Sequence, residues 1–172
     1  MMQVIEHIEL ASAQASITFS DIPQTYTDLY LVFSLRGSAA DSARSLFLSI
    51  NSSASNFTGR YLQGLGSGSG ISGTLARYIG AIPAAGSTSL TFGNGAVYFP
   101  NYTASVNKSF SADTVSENNA TLALQELNAG LWSQTTAISS LSIANDSGNL
   151  VQYSSATLYG ILAGSDGTTT VS

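Results

Sequence analysis

Residues 45–50 read Ser-Leu-Phe-Leu-Ser-Ile, with Leu46, Leu48 and Ile50 on one side of an extended chain and Ser45, Phe47 and Ser49 on the other. A strict period of two over this length marks a half-buried strand, and it does not fit the 3.6-residue period of a helix. Residues 28–37 repeat the pattern, with Leu29, Leu31, Phe33 and Leu35 on one face and Tyr30, Val32, Ser34 and Arg36 on the other. Both faces begin apolar, which predicts a central strand covered at least partly on both sides. Ala15, Ile17 and Phe19 alternate in the same way.

Further strands are expected near residues 61–65, 71–79, 89–92, 96–102, 106–115, 121–127, 137–144 and 156–162. Between them lie Asn51-Ser52-Ser53, Gly86-Ser87, Gly93-Asn94-Gly95, Asn128-Ala129-Gly130 and Asp146-Ser147-Gly148-Asn149. Gly, Asn and Asp tolerate the positive φ of tight turns, so these read as breaks. Helix signals are weak. Residues 38–44 fit one helical turn or a polar loop equally well, and residues 121–127 alternate as a strand does. The expected fold is all-β, an antiparallel β-sandwich, jelly-roll-like.

The 172 residues read as a single β-sandwich domain, with residues 1–12 as an N-terminal arm or edge strand and residues 164–172 as a polar tail. There is no cysteine, so no disulfide or thiolate metal site is available. Charged residues make up 9% of the chain, while 29 Ser and 16 Thr carry much of its polarity. A surface so poor in charge has little repulsion to oppose association with copies of itself or a partner. The five cations, Arg36, Arg44, Arg60, Arg77 and Lys108, are scattered, and no phosphate-binding cluster forms, so no nucleic-acid partner is expected. No basic amphipathic helix or long apolar run points to a membrane, and the first nine residues lack the basic start and apolar core of a secretory signal.

Candidate chemistry is sparse. The single histidine, His7, stands between Glu6 and Glu9, and no Gly-x-Ser-x-Gly elbow accompanies it, so it reads as part of an alternating strand. The glycine-rich run from Gly64 to Gly73 lacks the lysine of a phosphate loop and leads into strand-like sequence, so it reads as a surface loop. Asp146-Ser147-Gly148-Asn149 carries oxygen ligands but lacks the acid density of a calcium loop. The six Asn-x-Ser/Thr triplets, at Asn51, Asn56, Asn101, Asn107, Asn119 and Asn145, follow from a composition rich in these residues and are given no role. Tyr98, Phe99, Tyr102 and Trp132 fit either a sugar-stacking platform or core and interface anchors. No catalytic residue, metal ligand, cofactor or small-molecule substrate is expected, and the chain reads as a non-enzyme.

Residues 15–29, which contain Ile22-Pro23-Gln24-Thr25-Tyr26-Thr27-Asp28-Leu29, resemble the opening of a group of tailed-bacteriophage virion structural proteins. Phe99-Pro100-Asn101-Tyr102 resembles a mid-chain element of that group. Leu131-Trp132, Ala137-Ile138, Gly148-Asn149 and the closing Leu158-Tyr159-Gly160-Ile161 are similar to its second half. The chain departs from the group after Val106, where the group is more basic and only Lys108 is found here.

The resemblance implies a jelly-roll virion protein of the capsid decoration (cement) type, often a homotrimer, seated on the outer surface of a shell of major capsid protein and present in the host cytoplasm during assembly. A tail or fibre module binding host surface polysaccharide is the alternative, with an aromatic groove around Tyr102 and Trp132. From their apolar character, Val4, Ile5 and Ile8 of the arm and the out-facing Phe47 are the expected contacts. Residues 1–10 are expected to be removable without loss of the β fold.

Overall fold

The computed structural model describes residues 1–66, 68, 70–118 and 123–163. They form twelve strands: β1 Met2–Glu9, β2 Ile17–Phe19, β3 Asp28–Leu35, β4 Ala43–Ile50, β5 Phe57–Leu65, β6 Gly70–Thr74, β7 Tyr78–Pro83, β8 Gly93–Phe99, β9 Lys108–Glu117, β10 Ala123–Trp132, β11 Leu141–Asn145 and β12 Ser155–Ile161. No helix occurs among the described residues. An eight-stranded sheet in the order β1-β12-β3-β8-β9-β10-β5-β6 is accompanied by a four-stranded sheet in the order β2-β11-β4-β7. Every strand pairing is antiparallel. The fold is an all-β antiparallel sandwich, as the alternation predicts, and the chain crosses repeatedly between its two sheets.

Alternation decides which face each strand buries. Leu46, Leu48 and Ile50 of β4 are fully buried, as are Leu29, Leu31 and Leu35 of β3. Each such side chain contributes about 1.5–3 kcal/mol relative to exposure. On the other face of β3, Tyr30, Val32 and Ser34 are half-buried. Toward one end of the core, Phe99, Phe110, Phe57 and Trp132 form a chain of rings with centroids 5.8, 6.4 and 6.3 Å apart. Asn51 and Ser52 both take positive φ, 50° and 61°, between the mutually bonded Ile50 and Ser53. This is the tight turn that the Asn-Ser-Ser triplet predicts.

Four expectations about local structure are corrected. Residues 71–79 are not one strand, because Arg77 takes a φ of 53° and the chain passes from β6 in the large sheet to β7 in the small one. Residues 89–92 form no strand. They belong to a loop gathered around Arg36, whose guanidinium donates to the carbonyls of Ser87 (3.0 Å), Thr88 (2.8 Å) and Thr91 (2.8 Å). Gly93-Asn94-Gly95 and Asn128-Ala129-Gly130, read as breaks, lie inside β8 and β10. Their glycines make room for close neighbours. A Cβ on Gly95 would stand 2.7 Å from Phe33 Cζ, and one on Gly130 would stand 2.0 Å from Phe110 Cζ. Glycine within a strand marks such a close approach as readily as a turn. Thr121 and Leu122 of the expected strand at 121–127, and the polar tail, lie outside the described residues.

Candidate functional site

The expected contact residues are dispersed. Val4 is 58% exposed on β1, an edge strand paired only with β12. Ile5 and Ile8, on the same strand, are half-buried and turn to the core. Phe47 is not a free out-facing anchor. Its ring meets Tyr78 edge-on at 6.0 Å, and the Arg77 guanidinium lies 4.7 Å from its centroid. His7 Nδ1 shares a hydrogen bond of 2.7 Å with Thr157 Oγ1 on the neighbouring strand. Asn51 is occupied in holding the chain: its Nδ2 donates to Ala137 O at 2.8 Å, and its Oδ1 accepts from the Ser139 and Ser140 amides.

The aromatic platform around Tyr102 and Trp132 is overturned. Tyr102 is fully buried and donates its hydroxyl to Pro23 O, while Trp132 is 3% exposed and stacks on Phe57. These rings are core anchors. Lys108, the one lysine, is also inside, and its ammonium donates to the carbonyls of Ala104 (2.5 Å), Val106 (2.6 Å) and Thr135 (3.3 Å). Burial lowers its pKa.

A polar cluster that the sequence reading missed lies between the sheets. The carboxylate of Glu126, 1% exposed, accepts from Tyr78 Oη at 2.7 and 2.9 Å, from Thr114 Oγ1 at 3.2 Å and from Gln63 Nε2. Burial, reinforced by the bond to the Glu126 carboxylate, pushes the Tyr78 phenol well above its ordinary range. The cluster joins β7 of the small sheet to β5, β9 and β10 of the large one. These bonds pin the two layers together. Next along the same face, Asn128 is buried, and among the described residues neither its Nδ2 nor its Oδ1 has a partner. The signal was present in the strand phase, since Glu126 and Asn128 share the parity of the buried Leu124.

The surface with room for a partner is the solvent face of the large sheet. Strand register aligns a row across all eight strands: Ser72, Leu62, Leu127, Asp113, Ala96, Val32, Thr157 and His7. At a strand spacing of ~4.8 Å, this face is about 34 Å wide. Leu62, Leu127 and Val115 are 60%, 58% and 41% exposed on it, and Tyr159, Tyr30 and Tyr98 stand side by side in a flanking row. Two shallow grooves of about 550 and 600 Å³ meet at Leu62, Ser72 and Leu127. Few charges interrupt the face. Arg60 and Asp113 lie within it, Glu9 and Glu117 toward its rim, and Asp28 is tied to Tyr98 Oη (2.9 Å) and Asn101 N (2.8 Å).

No protein-family model matches the chain, and no curated protein does. Among solved structures it is similar to the galectin LEC-6 of Caenorhabditis elegans, at 11% identity and a TM-score of 0.38, covering 88% of this chain and 94% of that one. A likeness so distant bears on neither fold nor function.

Proposed function

We propose that the chain is a non-enzymatic virion structural protein, a capsid decoration protein that lies on a shell of major capsid protein and stabilises it by covering joints between subunits. The observation that carries this reading is the broad, charge-poor solvent face of the eight-stranded sheet, on which Leu62 and Leu127 are directly paired and both well exposed. Exposed apolar area of this kind marks an interaction surface. A stable contact needs about 1,200–2,000 Å² of buried surface in total, and a face about 34 Å wide is broad enough to supply one partner's share. The resemblance to tailed-phage virion proteins implies major capsid protein as the partner and the capsid exterior as the place, with a tail or fibre module as the alternative. The oligomer follows the same resemblance, a homotrimer.

The test is to locate the protein on purified particles by labelled-antibody electron microscopy, with its copy number taken from gel densitometry. Hundreds of copies over the head are expected. A few copies confined to the tail would overturn the decoration role and leave a tail module in its place.

A further inference from the structure

Among the described residues the large sheet ends in two unpaired edges, β1 and β6, and the edges differ. At β6 the sequence Gly70-Ile71-Ser72-Gly73-Thr74 has no charge, no proline and no bulge, the devices that usually blunt an exposed edge. The Leu75 amide donates to Gly59 O at 3.3 Å. Bonded and non-bonded pairs alternate along an antiparallel ladder, so the amides of Gly70, Ser72 and Thr74 point away from β5, off the sheet. Ile71 is 45% exposed on this edge strand, and Leu62, on the strand inside it, is 60% exposed. The Arg60 guanidinium leans outward over the edge strand, with Nη1 2.7 Å from Thr74 Oγ1.

At the other edge, β1 carries exposed Glu6 and Glu9 and a register shift between Val4 and Glu6. By the same alternation, anchored on the Met1–Leu162 bonds and on the Leu10 amide donating to Ser154 O, the amides of Met2, Val4, His7 and Glu9 face away from the sheet. Met2 and Val4 are 51% and 58% exposed. The β6 edge therefore offers an open row of main-chain groups, the β1 edge offers one broken by its bulge, and both carry uncovered apolar side chains. On the solvent face the charges are opposite: the Glu9 carboxylate at β1 and the Arg60 guanidinium at β6.

The other cations are engaged elsewhere. Arg36 and Lys108 are buried, Arg44 pairs with Asp41 and Asp146, and Arg77 lies over Phe47. Among the described residues, Arg60 is thus the side-chain cation left to meet a partner's acids, and the Met1 ammonium lies at the β1 edge.

We propose that a second copy of this chain docks by strand addition, the β1 edge of one protomer pairing with the β6 edge of the next. Charge selects this pairing over its alternatives. A second β1 edge offers Glu9 another carboxylate and no guanidinium, whereas β1 on β6 brings Glu9 to Arg60 on the same solvent face. The contact is head-to-tail, so it closes into a ring where the rotation per step permits. It makes the solvent faces of successive copies continuous, and it stands independently of what those faces bind.

The test is sedimentation velocity on the full chain and its variants. Ser72→Pro removes an outward amide, and proline is tolerated on an edge strand where its nitrogen faces solvent. The wild type is expected to be oligomeric and Ser72→Pro monomeric, with an unchanged β-sheet circular dichroism spectrum. Arg60→Glu and Glu9→Lys should each raise the dissociation constant about tenfold or more, and the double variant should recover most of the loss. The charge series decides the matter if the proline variant misfolds. A monomeric wild type, an oligomer insensitive to Ser72→Pro in a folded state, or charge reversals without mutual rescue would overturn the proposal. Self-association should weaken with added salt, so its failure is distinguishable from a failure to bind shells.

Discussion

Leu62 on β5 and Leu127 on β10 face each other directly across the large sheet's solvent side, exposed by 60% and 58%. A cross-strand apolar pair left in water adds little to the fold, because its area is not removed from solvent. Replacing both with glutamate should therefore change unfolding free energy by only about 0.5 kcal/mol in either direction. Attachment to capsid particles should fall at least about tenfold, since two desolvated carboxylates would enter the contact. Co-sedimentation of the double variant with particles checks this, and retention at wild-type levels would remove the face from the docking role. Wild-type attachment should also be only mildly salt-sensitive, because the face holds few charges. Complete release between low and moderate salt would contradict a neutral interface.

Tyr78 and Glu126 make a second, internal relationship with consequences for pH. The folded phenol's pKa lies above its ordinary value of about 10. Below pH ~10 the phenol is protonated in both the folded and unfolded chain, and its contribution is whole. Above pH ~10 the unfolded chain releases the proton while the folded chain keeps it, so stability falls as pH rises. Tyr78→Phe deletes the donor and leaves the buried carboxylate short of a bond. It should cost about 1–3 kcal/mol at neutral pH and flatten the alkaline decline. Urea unfolding at pH 7 and at a series of values above 10 checks both halves. Parallel curves for wild type and variant would assign the alkaline loss to other groups.

Gly130 and Phe110 test the close packing inside β10. Gly130→Ala would place a methyl group within 2.0 Å of the Phe110 ring. The ring is only 4% exposed and packed against Phe99 and Phe57, so it has little freedom to yield. A cost of about 1–3 kcal/mol is expected. Phe110→Leu in the same chain should make the alanine cheaper, and a double-mutant cycle by thermal unfolding would reveal the coupling. An additive cycle would show that the strands separate locally instead.

The strands of the core were legible because burial on one face imposes a period of two, as in residues 45–50 and 28–35. Where two forces produce the same residues, the reading failed. Glycine in 93–95 and 128–130 looks like turn chemistry, but close approach of the Asp113 and Val115 carbonyls, of Pro83, Thr114 and Phe33, and of the Phe110 ring at Gly130 requires it there inside strands. Residues 71–79 look continuous because the positive φ at Arg77 falls on a residue that does not advertise it. Tyr102 and Trp132 were open to two readings, and only burial separates a platform from an anchor. The broad face was invisible for another reason. Its row from Ser72 to His7 draws on eight strands and is assembled by register, which no local pattern records.

The N-terminal segment gives the last prediction. Residues 2–9 are an edge strand and not a detached arm, with Ile5 and Ile8 against the core and Leu10 only 7% exposed. Leu10 also exchanges main-chain bonds with the next loop, its amide donating to Ser154 O and its carbonyl accepting from the Tyr153 amide, each at 2.9 Å. Deleting residues 1–10 should therefore cost about 3 kcal/mol or more, counted from three partly or fully buried apolar side chains, and would bare β12 as a new edge. A fall in the thermal midpoint is expected, not the intact fold that the sequence alone predicts. Lost particle binding after that deletion would then carry no information about contact. Val4→Glu separates the two effects, because Val4 is 58% exposed. It should leave the midpoint within a degree or two of wild type. Weakened association in this variant would assign the edge to a contact, and unchanged association with a lowered midpoint would assign the segment to the fold alone.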